Sequence, residues 1–203
     1  MIKTIIFDFG DVFINLDKSA TEKGLKSLGL SKFSKEMTSM NQVYEMGLIS
    51  SHTFLEYYLE QVPKSNAQDL IDSWNSILLD FPLHRLEFLK QLKEDNRFQL
   101  ILLSNTNELH IDSVKKNLSF YEEFKACFDK FYLSHEIGFR KPEAAIYDYI
   151  LCENKLLAGE CFFIDDTKEN TESASKLGLQ TWNINPLKDD ITELFTKNPQ
   201  AFD

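Results

Sequence analysis

The sequence predicts an α/β fold in which a parallel β-sheet is combined with α-helices and carries a helical insert. Five short apolar runs, at residues 4–9, 99–104, 128–133, 161–165 and 180–184, alternate with segments of helical periodicity. Runs of this length without polar alternation are typical of strands that are buried on both faces of a parallel sheet. The alternation of strands and helices along the chain therefore indicates an α/β fold.

Three of the helices are predicted from local signals between the apolar runs. Residues 83–94 carry Leu and Phe at spacings of three and four, which suits one buried helix face. Residues 142–153 begin with a proline, which is favoured at the first position of a helix. Residues 169–177 are followed by Gly178, and glycine is the commonest residue just beyond a helix end.

The interval after the first strand differs from the rest of the chain, because residues 16–81 contain no convincing strand. They hold four amphipathic stretches instead, at residues 19–28, 35–46, 51–61 and 67–79, with Ser51 as the expected N-cap of the third and Gly47 in a turn before it. Such an insert is too long for a simple crossover between strands. The sequence therefore predicts a core formed by residues 1–15 and 82–203, and a helical cap domain formed by residues 16–81.

Composition excludes several classes of protein. The 203 residues carry a formal net charge of −10 without a basic cluster, so nucleic acid is not an expected partner. No apolar run reaches the ~18–20 residues that a membrane span needs, and the first residues read as a strand rather than a signal peptide. The three cysteines fit neither a zinc site nor a disulfide framework. We expect a cytoplasmic protein, whose oligomeric state the sequence leaves open.

Polar residues follow four of the apolar runs at the point where each strand is expected to end. In an open parallel sheet, ligands bind beyond the carboxyl ends of the strands, so these residues are expected to meet. They are Asp8 after the first run, Ser104, Asn105 and Asn107 after the second, Lys141 after the third, and Asp165 and Asp166 after the fourth.

This combination of residues predicts a magnesium-dependent phosphoryl-transfer site. Two neighbouring carboxylates repel each other unless a cation lies between them, and Mg²⁺ is commonly held by one or two carboxylates together with a substrate phosphate. Lys141, Ser104 and backbone N–H groups can hold the remaining phosphate oxygens. Asp8 is then placed to attack phosphorus.

The same segments resemble the four motifs of the haloacid dehalogenase superfamily. The chain carries IIFDFGDVF, LILLSNTN, GFRKPEAAIYDYIL and FFIDDTKENTESASKLGL in the family's order, over roughly residues 2–15 and 98–185. The amino-acid sequences of the motifs are similar to those of the bacterial α-D-glucose-1-phosphate phosphatases. The resemblance implies a Rossmann-like three-layer core with strand order 5-4-1-2-3, a helical cap and an aspartyl-phosphate intermediate.

The resemblance also implies a role for each matching residue. Asp8 is the nucleophile and a metal ligand, and Gly10 offers its backbone carbonyl to Mg²⁺. Asp166 is the metal ligand of the fourth motif, with Asp165 in the outer shell. Lys141 steadies the nucleophile and the transferring phosphoryl group. Ser104 and Asn105 bind the phosphate.

One position departs from the commonest form of the first motif. The family usually has a second aspartate two residues after the nucleophile, which protonates the leaving group, whereas this chain has Gly10 there. The neighbouring Asp11 is therefore a candidate acid–base residue, and the alternative is that water and a good leaving group suffice. Loss of a positioned acid or base typically costs on the order of 10²–10⁴-fold in rate.

The substrate class follows from this interpretation only in part. We expect a small sugar phosphate, with Tyr44 and Glu45 of the cap, and Asn107 and His110 after the second strand, as candidate specificity residues. A metal-independent 2-haloacid dehalogenase would use the same aspartate on carbon. The third hypothesis is a catalytically weak protein that binds a phosphorylated ligand.

Overall fold

The computed structural model describes residues 1–202 and contains the parallel α/β sheet that the sequence predicts. Its five strands lie in the order β3-β2-β1-β4-β5. Counted from the opposite edge, this is the expected order 5-4-1-2-3. The strands are β1 (Thr4–Phe7), β2 (Gln99–Ser104), β3 (Lys130–Leu133), β4 (Cys161–Asp165) and β5 (Gln180–Asn183).

The register of the central strands brings the polar strand ends to one edge. Phe7 of β1 pairs with Leu102 of β2 on one side and with Ile164 of β4 on the other. The residues that follow these three positions therefore emerge together at the carboxyl edge of the sheet. Asp8 lies directly beyond β1, where its backbone N–H donates to the carbonyl of Ile164 at 2.9 Å.

The helices agree with the predicted segments except at several ends. They are α1 (Ala20–Ser27), α2 (Lys35–Glu45), α3 (Ser51–Gln61), α4 (Ala67–Asn75), α5 (Leu83–Asp95), α6 (Glu108–Asn117), α7 (Tyr121–Ala126), α8 (Ser134–Ile137), α9 (Ala144–Glu153), α10 (Lys168–Lys176), α11 (Leu194–Lys197) and α12 (Pro199–Phe202). Short 3₁₀ turns occupy Ala158–Glu160 and Ile191–Glu193. Gly178 follows α10 with φ +92°, in agreement with its predicted place at the helix end.

Three predictions about helix ends were wrong. The N-cap of α3 is Ser50, whose hydroxyl accepts from the Thr53 N–H, and not Ser51. Helix α9 begins at Ala144 rather than at Pro142, because Glu143 has an extended backbone (ψ 135°). Helix α4 ends at Asn75 rather than at residue 79, since Leu78 pairs instead with Leu16 in an isolated antiparallel bridge.

Both faces of the sheet are covered by apolar side chains, which gives the core its three layers. One face packs Phe7, Leu102 and Ile164 with the phenylalanines of the neighbouring helices and loops. The other face packs Ile101 and Phe163 against helix α9. This division follows from the alternation of side chains along each strand.

Helices α1 to α4 have a hydrophobic cluster of their own. Tyr44, Phe54, Tyr58 and Trp74 form its aromatic centre, and the rings of Tyr44 and Phe54 stack at 4.1 Å. Burial of large aromatic side chains dominates the stability of such clusters. The segment predicted to form the cap is therefore a helical unit with its own apolar interior. Within residues 1–202, no helix combines the length and hydrophobicity required to cross a bilayer.

Candidate active site

Lys141 is the centre of the charged residues at the carboxyl edge of the sheet. Its side chain is 1% exposed. Its ammonium lies 2.8 Å from Asp8 Oδ1 and 2.6 Å from Asp165 Oδ2, and it donates to the carbonyl of Leu103 at 2.8 Å. An ammonium has three hydrogens, so its donor capacity is fully used. Lys141 is thereby fixed between two carboxylates rather than free in solvent.

The backbone of Lys141 is positioned by Asn105. The Asn105 side chain accepts from the Lys141 N–H at 2.8 Å and donates to the Lys141 carbonyl at 2.8 Å. This double hydrogen bond joins the loop after β2 to the loop before α9. The Asn105 amide therefore links the two loops and fixes the position of the Lys141 backbone relative to the strand ends.

Asp165 is fully buried and makes hydrogen bonds through both oxygens. Oδ1 accepts from the Thr167 N–H at 2.8 Å, and Asn170 Nδ2 lies 3.0 Å from each oxygen. Together with the contact from Lys141, these donors occupy most of the acceptor sites that a carboxylate has. Asp165 is consequently suited to orienting its neighbours and has little capacity left to bind a metal.

The three aspartates form a cluster that suits a divalent cation. Asp8, Asp165 and Asp166 each place a carboxylate oxygen within 4.8 Å of the other two. Carboxylate oxygens are the ligands that Mg²⁺ prefers. Since the oxygens of Asp165 are engaged, Asp8 and Asp166 are the two carboxylates of this cluster with capacity left for direct ligation.

Electrostatics at the cluster reflect crowding of like charges away from water. Burial raises the pKa of Asp8 to about 7; Lys141 opposes this rise and the carboxylate of Asp165 adds to it. Burial also raises the pKa of Asp166, an effect that Lys18 opposes. For Lys141, burial favours the neutral amine, but Asp165 and Asp8 outweigh burial and raise its pKa. A cation beside Asp8 and Asp166 would favour their charged forms.

Comparison with known families decides the class of the protein. The family model of haloacid dehalogenase-like hydrolases matches residues 5–184. This range includes the whole aspartate cluster and all five strands apart from Thr4, the first residue of β1. The chain belongs to the haloacid dehalogenase-like hydrolase family. It is accordingly a hydrolase, and the predicted fold class is confirmed by relatives over nearly its whole length.

Three relatives illustrate the range of the similarity. The chain is 27% identical over 191 residues to the D-ribitol-5-phosphate phosphatase of Bacteroides thetaiotaomicron, covering 90% of this chain and 91% of that protein. A haloacid dehalogenase (HAD) family enzyme from the same organism was solved in complex with magnesium and inorganic phosphate. It is 32% identical to this chain with a TM-score of 0.85, and the match covers 96% of this chain and 100% of that one. An L-2-haloacid dehalogenase is 16% identical with a TM-score of 0.62, covering 97% and 98%. This last likeness shows a shared fold only, and none of the three confirms the α-D-glucose-1-phosphate phosphatase group.

Gly10 occupies the position where many members of the haloacid dehalogenase-like hydrolase family have their second aspartate. A Cβ at Gly10 would lie 2.7 Å from Leu16 Cδ1, so a larger residue fits only if Leu16 moves. Asp11 is turned elsewhere: its Oδ1 accepts from the Leu16 N–H at 2.9 Å, and its Oδ2 lies 3.2 Å from Lys18 Nζ. These contacts stabilise the left-handed backbone of Asp11, at φ 55°, which only a few non-glycine residues adopt.

The remaining residues predicted after β2 have different surroundings. Ser104 is 3% exposed and lines a small cavity beside the aspartate cluster. Asn107 lies deeper, as the N-cap of α6: its Oδ1 accepts from the His110 N–H at 3.1 Å and from Trp74 Nε1 at 3.3 Å. The structure therefore brings Ser104 to the site and directs Asn107 towards helix α4.

His110 completes this link between the core and the helical insert. Its Nδ1 lies 3.0 Å from Asn107 Nδ2 and its Nε2 lies 3.2 Å from the Trp74 carbonyl, and its ring stacks on Trp74 at 5.5 Å. Burial lowers the pKa of His110 to about 4, so the ring is neutral at physiological pH. Such contacts are typical of a packed structural histidine.

Two residues at the end of α2 approach the core from the insert. Tyr44 accepts from the Leu109 N–H at 3.2 Å, which buries its hydroxyl against α6. Glu45 accepts from Arg140 Nε at 3.2 Å. Arg140 directly precedes Lys141. Together with Asp8 and Asp166 it lines a cavity of about 400 Å³ at the strand ends.

Sequence reasoning missed three charged or polar participants. Lys18 forms an ion pair with Asp166 as well as Asp11, Arg140 pairs with Glu45, and Asn170 holds Asp165. Asn170 carried a signal, since its position in the first turn of α10 lets it reach back to the end of β4. Nothing local indicated the contact of Lys18 with Asp166, 148 residues away, or that of Arg140 with Glu45, 95 residues away.

Proposed function

We propose that the protein is a Mg²⁺-dependent phosphomonoester hydrolase that acts on a small sugar or polyol phosphate through an aspartyl-phosphate at Asp8. The observation that carries this proposal is the buried arrangement of Asp8, Lys141, Asp165 and Asp166 at one edge of the sheet. Two comparisons support it: a curated relative is named a D-ribitol-5-phosphate phosphatase, and a similar structure was solved with magnesium and inorganic phosphate.

Asp8, Asp166 and the backbone carbonyl of Gly10 are the groups that would hold Mg²⁺. When bound, the ion neutralises charge between the carboxylates and the phosphate and acts as a Lewis acid. Asp8 Oδ1 is held by Lys141, while its Oδ2 accepts no hydrogen bond from residues 1–202. This leaves one oxygen of the nucleophile available for attack.

The reaction proceeds in two displacements. A carboxylate oxygen of Asp8 attacks phosphorus, the bond between phosphorus and the ester oxygen breaks, and the leaving alkoxide takes a proton. Water then attacks phosphorus and releases a proton, which replaces the one taken by the alkoxide; the bond between phosphorus and Asp8 breaks, and inorganic phosphate leaves with the carboxylate restored. Lys141, held 2.8 Å from Asp8 Oδ1, stabilises by its charge the nucleophile and the transferring phosphoryl group during both steps, and the Ser104 hydroxyl donates to a phosphoryl oxygen.

The source of the leaving-group proton is the least typical part of this mechanism. The carboxylate of Asp11 is engaged by the Leu16 N–H and by Lys18, and Asp11 does not line either cavity at the site. These contacts favour a structural role for Asp11. We infer that water protonates the leaving group, so that good leaving groups are hydrolysed faster than alkyl phosphates.

Residues 16–81 are proposed to act as the cap that closes the site and selects the substrate. Three of their contacts with α6, made by Tyr44, Ser51 and Trp74, fix the insert over the strand ends. Gly47 approaches α8 so closely that a Cβ there would lie 2.0 Å from the His135 carbonyl oxygen. A cap held in this way limits the access of bulk solvent to the reacting phosphoryl group.

The test is phosphate release from a panel containing p-nitrophenyl phosphate, α-D-glucose 1-phosphate and D-ribitol 5-phosphate, with Mg²⁺ and with a chelator. We expect turnover that the chelator removes reversibly and that Asp8→Asn abolishes. Asp112→Asn, an exposed aspartate on α6, is the matched control and should retain activity. Chloride release from a 2-chloroacid in the presence of chelator would indicate a dehalogenase, and phosphate-ester binding without turnover would indicate a binding protein.

A further inference from the structure

The site is divided into two adjoining cavities with different linings. The larger, of about 400 Å³, contains Asp8, Asp166 and Lys141 and is the place for the phosphate. The smaller, of about 130 Å³, lies beneath the helical insert and is the place for the leaving group. Gly10, Leu16 and Asn105 line both cavities, so the two are neighbours that share a wall.

Glu45 is the one carboxylate among the described residues that line the smaller cavity. Most of its other walls are apolar, and His110, the other titratable residue there, is neutral with both ring nitrogens engaged. A fixed carboxylate in apolar surroundings repels an anionic group and accepts hydrogen bonds from hydroxyl groups. The charge of Glu45 therefore restricts what the cavity can hold.

Arg140 fixes the orientation of this carboxylate. Its Nε lies 3.2 Å and its Nη2 3.1 Å from the same oxygen, Glu45 Oε2. Oε1 accepts no hydrogen bond from residues 1–202 and remains available. Arg140 lines the phosphate cavity and Glu45 lines the leaving-group cavity, so their ion pair joins the walls of the two cavities.

We propose that Glu45, oriented by Arg140, selects substrates whose leaving group is a small, neutral, hydroxylated chain. This inference rests on the proposed phosphatase function and names its substrate class. Glu45 Oε1 accepts a hydrogen bond from a hydroxyl of the leaving group, and the carboxylate excludes sugar acids and bisphosphates by repulsion. At about 130 Å³ the cavity is small beside the phosphate cavity of about 400 Å³, which favours a short polyol over a nucleoside.

The experiment compares three substrates of equal length: glycerol 3-phosphate, propyl phosphate and 3-phosphoglycerate, each with Mg²⁺. For the unaltered protein we expect kcat/KM for the polyol to exceed that for propyl phosphate by about tenfold or more, the effect of a hydrogen bond to a charged group. The value for 3-phosphoglycerate should be lower again. Phosphoethanolamine, which carries a cation, should not exceed the polyol.

Substitutions then assign the selectivity to the ion pair. Glu45→Gln should bring the ratio between polyol and 3-phosphoglycerate towards one, and Glu45→Ala should also remove the preference over propyl phosphate. Arg140→Gln should reduce the same ratios of kcat/KM. In the double variant Glu45→Gln/Arg140→Gln these ratios should be no lower than in Glu45→Gln alone. Glu36→Gln, an exposed glutamate on the same helix, is the matched control and should leave every ratio unchanged.

The outcomes separate this inference from the proposed function. Asp8-dependent turnover of p-nitrophenyl phosphate with equal kcat/KM for all three test substrates would overturn the selectivity and leave the phosphatase function intact. A higher value for 3-phosphoglycerate or phosphoethanolamine would also overturn it. Absence of any Asp8-dependent turnover would instead contradict the phosphatase function itself. The comparison among substrates needs no variant, so it holds even if Glu45 substitutions fail to fold.

Discussion

Replacement of the proposed nucleophile by its amide should stabilise the metal-free protein at alkaline pH. Burial raises the pKa of Asp8 from 3.8 to about 7. Between these values the folded protein binds a proton that the unfolded chain does not, so the free energy of unfolding falls as pH rises from about 4 to 7. Asp8→Asn removes this loss, because its neutral amide carries no charge to desolvate.

The magnitude follows from the size of the shift. A rise of about three pKa units at 1.36 kcal/mol each gives an upper bound on the order of 4 kcal/mol in favour of Asp8→Asn above pH 7. The difference should vanish near pH 4, where Asp8 is protonated in the folded unaltered protein. Catalytic groups commonly carry such a cost to stability.

The assay is urea unfolding of both proteins in the presence of a chelator, at several values from pH 4 to pH 8. Asp190→Asn provides a control, because its effect on the free energy of unfolding should have the opposite sign. Partial burial pushes the pKa of Asp190 upward, but hydrogen bonds from His84, the Thr192 N–H and Arg85 outweigh burial and hold that pKa well below its usual range. Its charged form stabilises the fold above pH 4, so Asp190→Asn should cost about 1–3 kcal/mol at pH 8. Equal or lower stability of Asp8→Asn at pH 8 would refute the reasoning.

Three further predictions concern the surroundings of Asp8. Lys141→Met leaves two buried carboxylates without their cation, so it should abolish turnover and lower the free energy of unfolding by about 3–5 kcal/mol at pH 8; a stable, active variant would count against the central role of the lysine. Asp11→Asn should retain kcat within about tenfold, whereas the loss of an acid–base residue costs about 10²–10⁴-fold, and steady-state kinetics on an alkyl phosphate distinguishes the two. Lys18→Met removes a cation that lies against Asp166, so calorimetric titration without substrate should show Mg²⁺ binding up to about tenfold tighter, and unchanged affinity would contradict this effect.

The sequence predicted the central sheet and the charged residues at its carboxyl edge, for reasons that are local. The bounds of β2 and β4 agree with the predicted ones, because an apolar run followed by a polar turn marks both ends of a buried strand. Asp8, Asp165 and Asp166 come together because parallel strands deliver their carboxyl ends to one edge. Lys141 lies beyond α8, and its position depends in addition on the hydrogen bonds to Asn105, 36 residues away.

Other parts of the site depend on contacts between residues that are far apart in sequence. The ion pair of Glu45 and Arg140 joins positions 95 residues apart, and nothing in either local pattern indicates it. The hydrogen bond between Trp74 and Asn107 likewise gives Asn107 a cap-contacting role that its strand-end position did not indicate. The end of α4 was misplaced because residue 78 pairs with Leu16 across the insert, a tertiary contact that overrides helical periodicity.

The most direct test of the account is whether phosphate passes through Asp8. The protein should be mixed with a phosphomonoester and Mg²⁺, quenched in acid within one turnover, digested and measured by mass spectrometry. We predict that the peptide containing Asp8 gains the mass of one phosphoryl group, and that neither Asp8→Asn nor a chelator-treated sample shows this gain. Rapid turnover with Asp8 unmodified throughout, or a phosphoryl group on a different residue, would contradict the central claim.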